Sequence, residues 1–359
     1  MDVMHVVGNR PQFIKLSPVS RELRKRGIQE VIIHTGQHYD ANLSEIFFEE
    51  LDIPEPARNL DVGSGSHAQV TGAAMIRIEK VIEEFTPKCV VVYGDTNSTL
   101  AAALAAAKLC IPLIHVEAGP RTYNKTNPEE CNRVVVDHIS DYLCAPDRIS
   151  FENLIKEGIA KDKIFFTGDV MYDEFLYCLL QGQDNISLCP DGYILMTWHR
   201  QENTCNRERM EKIICFIEKI SYDIILPLHP RTKKFLEVYG LEERINKIPY
   251  LKIIEPVGYK EMTVLLNNCK LLVSDSGGAS KEASFVGKKC IYMLDLNIWP
   301  ELVENGYIQL MDIDNNEMVE RSLYEIKNIL AGRKWLCRPE FFGNGNAAVK
   351  IVDVIEKIV

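Results

Sequence analysis

No excess of basic residues is found in this sequence. Its 359 residues include 41 Lys and Arg against 51 Asp and Glu, which gives a formal net charge of −10 and a pI of about 5.4. No basic stripe interrupts this acidic balance. We therefore expect no binding to nucleic acid or to an anionic membrane surface. An anionic ligand would have to be held by individual arginines and by helix N-termini.

Long hydrophobic runs and a leader segment are also missing. The most apolar window, LAAALAAAKLCIPLI at 100–114, is interrupted by Lys108 and Pro112 and is too short to span a bilayer. Met1 leads directly into DVMHVV without a positively charged region, so no signal peptide is expected. These features predict a cytoplasmic protein that does not associate with membranes.

The cysteines and histidines do not form a disulfide framework or a metal motif. The count of 11 cysteines is odd and no two have C-x-x-C spacing, which predicts reduced thiols packed as small apolar residues. His34 and His38 are four residues apart, but Gly36 lies between them and no third ligand is evident. No metal site is therefore predicted.

Two common nucleotide-binding motifs are absent or misplaced. The sequence has no G-x-x-x-x-G-K-[ST] segment. GSGSHA at 63–68 matches G-x-G-x-x-A, but the first turn between a strand and a helix lies at 8–11, where a dinucleotide fingerprint would have to stand. A nicotinamide or flavin cofactor is therefore not expected.

Short apolar runs alternate with helical stretches along the whole chain, which is typical of parallel βαβ units. Helices are predicted at 12–26, 68–85, 96–109 and 129–139. Strands are predicted at 2–7, 30–34, 89–93, 112–116, 142–145, 193–197, 223–227, 251–254, 271–274 and 290–293. The length suits two domains. The expected fold class is α/β, with two consecutive doubly wound, Rossmann-like sheets.

We place the domain boundary at 168/169, before the loose stretch QGQDNISLCPDG. Residues 1–168 then form an N-terminal domain and residues 169–345 a C-terminal domain. The final helix, about 346–359, follows the turn-forming FFGNGN and is expected to pack back on the first domain.

Charged residues follow the strands of the first half, at the edge where doubly wound sheets bind ligands. In GNRPQFIK, Gly8 allows a tight turn and Arg10 can reach this edge, although a solvated arginine in an ordinary turn is the alternative. Asp95 follows the third strand beside Thr96, and capping of the next helix alone could explain that pair. Glu117 leaves the fourth strand.

Two further carboxylates, Glu129 and Glu130, stand in the first turn of the helix that NPEECNR begins. Acidic residues there complement the helix dipole, which is a structural reason for their presence. It does not explain why Asp95, Glu117 and Glu129 would meet at one sheet edge. Clustered carboxylates raise one another's pKa, which makes a usable general acid or base near neutrality. Two arginines would keep the cluster from being too costly: Arg121 and Arg133.

The second half offers different chemistry. The segment SDSGGASKEA places Ser276, Gly277 and Gly278 before a helix, where backbone N–H groups can hold a phosphate or diphosphate. Glu282, one turn on, can accept hydrogen bonds from ribose hydroxyls. Histidines and arginines follow two other strands: His199, Arg200, His229 and Arg231. Acid–base groups on one wall of a cleft and a diphosphate cradle on the other suit a sugar whose leaving group is a nucleoside diphosphate.

These segments resemble the non-hydrolysing UDP-N-acetylglucosamine 2-epimerases. The likeness covers nearly the whole chain, in the order and spacing of that family. It is carried by GNRPQFIK, TGQHYD, GDTNSTLAAALAAA, HVEAGPR, PEECNR, HRQEN, PLHPRT, DSGGASKEA and FFGNGNA.

The resemblance implies a fold of the GT-B type, in which two Rossmann-like domains face a cleft. It also implies a homodimer without a metal or a redox cofactor. Enzymes of this family remove the C2 proton while UDP leaves C1, which gives a 2-acetamidoglucal. UDP then adds back and a proton reaches the other face of C2. Such an enzyme would supply an activated N-acetylmannosamine-type sugar for surface polysaccharide.

The resemblance also assigns residues to roles. The acid–base residues of the family correspond to Asp95, Glu117, Glu129 and His199. The contacts to UDP and substrate correspond to Arg10, Lys15, Arg133, His229, Ser276, Gly277, Gly278 and Glu282, and we add Arg121 as a further binding candidate. The sequence does not assign which carboxylate takes the proton and which returns it.

One segment departs from the family pattern. MLDLNIWPE at 293–301 stands where relatives have a segment like LRDxTEWxE, so Leu294 removes an arginine and Asn297 and Ile298 replace a Thr-Glu pair. This change affects contacts around the sugar or the diphosphate.

Other features are closer to a subgroup that includes UDP-2,3-diacetamido-2,3-dideoxyglucuronate 2-epimerases. These are RPQF, NPEECNR and the short loop between Arg121 and Pro128. Arg121 or Lys125 would then meet a C6 carboxylate, although a solvated lysine also explains Lys125. UDP-N-acetylglucosamine is the main prediction and the diacetamido uronate is the alternative. A hydrolysing epimerase, a glycosyltransferase of the same fold and an inactive relative that binds UDP-sugars are further alternatives.

Overall fold

The computed structural model describes residues 1–36, 48, 50–181, 192–295, 299–332 and 337–359. The chain divides into two compact units, the first made of Met1–Tyr177 with Glu340–Val359 and the second of Cys178–Pro339. A functional boundary at 168/169 stays a prediction, and most of the loose stretch that follows it lies outside the described residues.

The first unit is built on a seven-stranded parallel sheet with the order β3-β2-β1-β4-β5-β6-β7. Its strands are β1 (Val3–Val7), β2 (Glu30–His34), β3 (Arg58–Asn59), β4 (Cys89–Tyr93), β5 (Leu113–Val116), β6 (Tyr142–Ala145) and β7 (Ile164–Phe166). Its helices are α1 (Arg10–Lys25), α2 (His67–Phe85), α3 (Asn97–Lys108), α4 (Pro128–Ile139), α5 (Arg148–Lys156) and α6 (Val170–Gln181), with a 3-10 turn at Lys161–Lys163.

The second unit has a six-stranded parallel sheet with the order β10-β9-β8-β11-β12-β13. Its strands are β8 (Ile194–Thr197), β9 (Ile224–Pro227), β10 (Leu251–Ile254), β11 (Leu271–Ser274), β12 (Cys290–Tyr292) and β13 (Ile308–Leu310). The helices that follow α6 are α7 (Gln201–Thr204), α8 (Arg207–Ile220), α9 (Pro230–Tyr239), α10 (Glu242–Asn246), α11 (Tyr259–Asn268), α12 (Gly277–Phe285), α13 (Pro300–Glu304) and α14 (Asn316–Leu330), and α15 (Ala347–Ile355) belongs to the first unit.

The central strands are buried along their whole length and mostly apolar because helices cover both faces of each sheet. β1 and β4 are buried at every residue, and so are β8 and β11. This explains why these strands read as largely apolar runs in the sequence. The predicted α/β fold with two doubly wound, Rossmann-like sheets is confirmed.

The strand order reverses between β1 and β4 in the first sheet and between β8 and β11 in the second. In open α/β sheets, ligands bind at the carboxyl ends of the strands beside such a switch point. Tyr93 of β4 is paired with Val116 of β5, so Gly94 and Glu117 leave the sheet side by side. Thr197 of β8 is likewise paired with Ser274 of β11, so the segments that begin at Trp198 and Asp275 leave the second sheet side by side.

Local signals fix the helix starts near these strand ends. Asn9 caps α1 by accepting from the Gln12 N–H, and Thr96 caps α3 by accepting from the Thr99 N–H. The G-x-G-x-x-A match at 63–68 is explained by a capping box, in which Ser66 and Gln69 bond each other's backbone at the start of α2. The rejection of a dinucleotide fingerprint there is consistent with this local role.

The C-terminal helix α15 packs against α1 within the first unit. Arg26, just after α1, forms ion pairs of 2.7 Å with Asp353 and 2.9 Å with Glu356. These contacts agree with the expected return of the last helix to the N-terminal part of the chain.

Half of the described cysteines pack as predicted. Cys89, Cys144, Cys178, Cys269 and Cys290 are buried, whereas Cys110, Cys131, Cys205, Cys215 and Cys337 are exposed. Burial raises the pKa of the Cys89 and Cys144 thiols to about 12, so these two stay protonated at neutral pH. The expectation that cysteines pack as apolar residues is wrong for the exposed five.

No helix in the described part of the chain is both long and apolar enough to cross a membrane.

Candidate active site

Lys15 and Glu117 form a buried ion pair at the carboxyl edge of the first sheet. Lys15 lies on α1 with 9% of its side chain exposed, and its Nζ contacts Oε2 of Glu117, of which 13% is exposed. The pair joins the helix after β1 to the end of β5, two elements that are far apart in sequence. The structure therefore brings together two of the predicted site residues.

The backbone of Glu117 is held in a conformation that L-residues rarely adopt. Its φ is +69°, in the left-handed region, and its N–H donates to the Cys144 carbonyl at 3.1 Å. Such a conformation costs on the order of 1–3 kcal/mol and persists where the surroundings fix it, most often at functional sites. This backbone conformation directs the Glu117 carboxylate toward the carboxyl edge of the sheet.

Gly94, beside Glu117, leaves room for the ion pair. Its φ is +62°, and a Cβ at this position would lie 2.9 Å from Lys15 Nζ and 3.2 Å from Glu117 Oε2. Glycine is needed here both for the backbone angle and for the space.

Asp95 follows Gly94 and is paired with Arg133. Asp95 Oδ2 lies 2.5 Å from one terminal nitrogen of Arg133, and the other terminal nitrogen lies 3.0 Å from Glu130 Oε2. Asp95 is the more accessible partner, with 30% of its side chain exposed against 17% for Arg133. Arg133 thus links α4 to the end of β4 and balances two carboxylates.

Glu130 is the carboxylate of α4 that joins this group. It is buried and accepts N–H bonds from Thr122 at 2.9 Å and Tyr123 at 2.8 Å. Burial acts to raise the pKa of Glu130, but these hydrogen bonds and Arg133 prevail and hold it below its usual value. Sequence reasoning expected clustering to raise carboxyl pKa values, and Glu130 shows the opposite because cations and N–H groups surround it.

Glu129 lies exposed in the first turn of α4, and its N–H donates to Asn127 Oδ1 at 3.1 Å. The contacts found in the described residues connect Glu130 rather than Glu129 to Asp95 through Arg133. Successive residues of a helix point about 100° apart, so the sequence alone could not distinguish these neighbours. An acid–base role for Glu129 stays a prediction.

Arg121 is placed away from this group. One of its terminal nitrogens lies 2.7 Å from Asp137 Oδ2 and 2.7 Å from Glu157 Oε2, and only 1% of its side chain is exposed. This geometry favours a supporting role over the substrate contact that the sequence predicted. Arg10, in contrast, is exposed at the start of α1, where a ligand can reach it.

His199 occupies the carboxyl edge of the second sheet and is oriented by Asp275. The fully buried Asp275 accepts the His199 backbone N–H at 3.0 Å and lies 3.2 Å from His199 Nδ1. A carboxylate at Nδ1 favours the proton on that nitrogen and orients the ring. Sequence reasoning missed Asp275, although its position directly after β11 was a usable signal.

His229 stands beside His199, with the two ring centroids 5.3 Å apart. It caps α9 by accepting the Arg231 N–H at Nδ1, 3.1 Å away. The structure therefore places both predicted histidines of the second unit at one sheet edge.

Ser276 begins α12 at the same edge. Its Oγ accepts the Ala279 N–H at 3.3 Å, and its own N–H donates to Ser274 Oγ at 2.9 Å. The first N–H groups of a helix have no partner within the helix, and they attract anions. A Cβ at Gly278 would meet nothing nearer than Ser276 Oγ at 4.0 Å, so this turn is open to a ligand.

Glu282 is buried one turn into α12, and Tyr259 donates to its Oε1 at 3.0 Å. Gly277 accepts a hydrogen bond from Trp299 Nε1 at 2.9 Å. These contacts fix the helix start, while the predicted contact of Glu282 with ribose stays a prediction.

Three residues used in the sequence analysis, His38, Asn297 and Ile298, lie outside the described part of the chain. Leu294, the other altered position, is buried just after β12. In the described ranges no group of three or more His, Cys, Asp or Glu side chains is arranged to hold a metal ion.

Comparison with known proteins gives one consistent likeness. A family model described as UDP-N-acetylglucosamine 2-epimerase matches residues 21–356. The UDP-N-acetylglucosamine 2-epimerase homolog of Methanococcus maripaludis is 45% identical over 366 residues, with 100% of both chains covered. The UDP-2,3-diacetamido-2,3-dideoxy-D-glucuronate 2-epimerase of Pseudomonas aeruginosa is 42% identical over 365 residues, again with 100% of both chains covered.

A solved structure extends the likeness to the fold. The crystal structure of Methanocaldococcus jannaschii UDP-GlcNAc 2-epimerase in complex with UDP-GlcNAc and UDP matches with a TM-score of 0.86 and 42% identity. The match covers 99% of this chain and 100% of that chain. Similarity in sequence and in fold thus spans both units.

Proposed function

The chain belongs to the UDP-N-acetylglucosamine 2-epimerase family, and from this premise we propose that it interconverts UDP-N-acetylglucosamine and UDP-N-acetylmannosamine. The observation that carries the proposal is the strained Glu117. A carboxylate held at φ +69° against Lys15, at the ligand-binding edge of a doubly wound sheet, suits proton transfer better than a structural role.

In this proposal the first unit supplies acid–base groups for C2 of the sugar. Asp95, Glu117 and Glu129 take the C2 proton from one face and return it to the other, with a 2-acetamidoglucal between the two steps. Lys15 lies against Glu117 and Arg133 against Asp95, so a cation accompanies each of these two carboxylates at the sheet edge.

The second unit holds UDP and assists its departure from C1. The first turn of α12, at Ser276, Gly277 and Gly278, offers N–H groups to the diphosphate. His199, whose Nδ1 lies against Asp275, serves as the fourth acid–base group. His229 and Arg10 are proposed contacts of the nucleotide and its phosphates, and Glu282 is a proposed ribose contact.

The test follows C2 of the sugar in deuterium oxide. Incubation with UDP-N-acetylglucosamine should give deuterium at C2 and a manno product, both visible by NMR, without any acceptor and without release of free sugar. Absence of both deuterium and manno product would reject the proposal. Free N-acetylmannosamine with UDP would instead identify a hydrolysing enzyme.

A second substrate is favoured by one observation. The diacetamido-glucuronate 2-epimerase of Pseudomonas aeruginosa is 42% identical over the full chain, close to the 45% of the Methanococcus maripaludis homolog. Against it, the buried pairing of Arg121 with Asp137 and Glu157 leaves that guanidinium poorly placed for a C6 carboxylate. Comparing kcat/KM for the two UDP-sugars decides between them.

The assembly and location complete the proposal. We infer a homodimer in the cytoplasm that supplies activated N-acetylmannosamine for surface polysaccharide, with no metal and no redox cofactor. Support comes from the family and from the acidic composition. Light scattering of the purified protein tests the dimer, and full activity after treatment with a chelator tests the independence from metal.

A further inference from the structure

His115 and Asp137 form a buried pair directly behind the proposed site. Both side chains are fully buried, with His115 Nδ1 2.6 Å from Asp137 Oδ1. The other ring nitrogen, Nε2, lies 2.8 Å from the carbonyl oxygen of Gly94. Neither residue has a role in the proposed proton transfers.

Both ring nitrogens of His115 therefore face acceptors. The ring is therefore fixed at both of its edges, between α4 and the end of β4. Asp137 stays ionised because its other oxygen accepts the Gly119 N–H at 3.1 Å and lies 2.7 Å from Arg121.

Asp137 is surrounded by groups that stabilise its charge. Burial acts to raise the pKa of Asp137, but its contact with His115 and with Arg121 outweighs this and holds the pKa below its usual value. Arg121 is in turn paired with Glu157 at 2.7 Å. Each buried charge of this network thus has a partner, which is the condition under which buried charges are tolerated.

The network touches the chain on both sides of Glu117. His115 holds the carbonyl of Gly94, the residue that precedes Asp95 and leaves room for the Lys15–Glu117 pair. Asp137 holds the N–H of Gly119, two residues after Glu117. Asp137 also lies one turn after Arg133 on α4, so the element that pairs with Asp95 is fixed by the same network.

We propose that His115 and Asp137 are positioning residues for the C2 proton transfer, a buried histidine–carboxylate pair that fixes Gly94 and Gly119 and thereby holds Glu117 in its strained conformation. The inference deepens the proposed function and rests on it. The strained backbone of Glu117 persists only if the backbone around it is fixed. The His115–Asp137 pair fixes it at Gly94 and at Gly119.

The decisive variant is Asp137→Asn. Asp137 engages partners at both of its carboxylate oxygens, whereas asparagine has a single acceptor oxygen, so the contact with either the His115 ring or the Gly119 N–H is lost. We expect kcat for C2 exchange to fall by about a hundredfold, as for an ångström-scale displacement of a reacting group. The KM for the UDP-sugar and the Kd for UDP should change little, because neither residue contacts ligand.

A matched control is available in the same sheet. His5, in the middle of β1, and Glu30, at the amino end of β2, form another buried pair, with Nε2 and Oε2 3.2 Å apart. Neither residue lies at the carboxyl edge of the sheet. Glu30→Gln should lower the thermal stability to a similar extent but leave kcat near the wild-type value. Equal losses of kcat in both variants, or no loss in Asp137→Asn, would overturn the proposal. If Asp137→Asn does not fold, His115→Gln, which keeps an amide N–H for the Gly94 carbonyl, takes its place with the same expected split.

NMR of the wild-type protein with ¹⁵N-labelled histidine tests the pair independently of activity. A slowly exchanging proton on Nδ1 of His115, hydrogen-bonded to Asp137, is expected. A ring proton that exchanges freely with solvent would contradict the pair. Wild-type protein without C2 exchange would mean that the proposed function fails, and this spectrum would still decide whether the pair exists.

Discussion

The position of Glu117 depends on atoms of two neighbouring residues. Its left-handed backbone brings the carboxylate against Lys15, and Gly94 provides the space in which the two charges meet. The ion pair with Lys15 helps to fix Glu117 in its strained conformation, because leaving either buried charge unpaired would cost free energy. A small change of volume at Gly94 should therefore have a large effect on turnover.

Gly94→Ala tests this packing. The new methyl group would lie 2.9 Å from Lys15 Nζ and 3.2 Å from Glu117 Oε2, and the φ of +62° would add strain of roughly 1–2 kcal/mol. We expect a loss of stability of about that size in urea unfolding. Because the ion pair must shift, C2 exchange should fall by about tenfold or more.

Gly27→Ala is the matched control. Its φ is +74°, and nothing lies within 4 Å of a Cβ built there. The backbone strain should be similar, whereas turnover should not change. An equal effect of both substitutions on exchange would show that backbone strain, and not space beside the ion pair, controls activity.

The sequence indicated which residue types follow the strands, but it could not show their partners. Lys15 and Glu117 are 102 positions apart, and Asp95 and Arg133 are 38 apart. Such pairs depend on strand order and register, which periodicity does not encode. The burial of Arg121 depended on Asp137 and Glu157, two residues that carry no motif signal of their own.

At the level of elements, α6 and α15 are joined through one carboxylate. Asp173 of α6 accepts the Ala348 N–H of α15 at 2.8 Å. Burial raises the pKa of Asp173 to about 6, although the backbone N–H groups of α15 act in the opposite direction. The folded state thus binds a proton here more tightly than the unfolded chain does, whose ordinary value is 3.8.

Asp173→Asn should therefore change how stability depends on pH. With a folded-state pKa above the unfolded one, the wild-type protein loses stability as pH rises from about 4 to about 6. The amide keeps an acceptor for Ala348 and carries no charge, so the variant should lack this loss. Relative to the wild type, the variant should gain on the order of 2 kcal/mol between pH 4 and pH 7 in urea unfolding.

Asp173→Ala serves as the control for the hydrogen bond alone. It removes the acceptor at the start of α15, so it should be less stable than the asparagine variant at every pH. A difference between the wild type and Asp173→Asn that does not change between pH 4 and pH 7 would show that Asp173 does not titrate in this range.

The elements that the sequence missed lie at sheet edges. Strands β4 and β6 were predicted at 89–93 and 142–145 and have these bounds in the structure. The missed strands β3, β7 and β13 are each two or three residues long, and each stands at the edge of its sheet; β3 is exposed, and β7 and β13 are only partly buried. An edge strand is short and half exposed, so it leaves no long apolar run in the sequence.

On the scale of the whole molecule, the two units have separate sheets and separate hydrophobic cores. The acid–base candidates Asp95 and Glu117 belong to the first unit, and the helix start at Ser276 belongs to the second. The described contacts of Asp95 and of Ser276 have no residue in common, and substitutions without shared partners tend to act independently. Chemistry and nucleotide binding should therefore be separable by mutation.

Asp95→Asn and Ser276→Ala test this separation. Asp95→Asn should lower C2 exchange by about a hundredfold or more, the usual effect of losing an acid–base group, and leave the Kd for UDP unchanged.

Ser276→Ala should weaken UDP binding by roughly tenfold in calorimetry, as for one lost hydrogen bond to a charged group, and destabilise α12 by about 1 kcal/mol. Ser66→Ala removes a comparable cap from α2 and should change stability without changing the affinity for UDP.

In the double variant Asp95→Asn/Ser276→Ala the two free-energy changes should add. Weaker UDP binding by Asp95→Asn alone, to the extent seen for Ser276→Ala, would mean that the two units do not divide the work in this way.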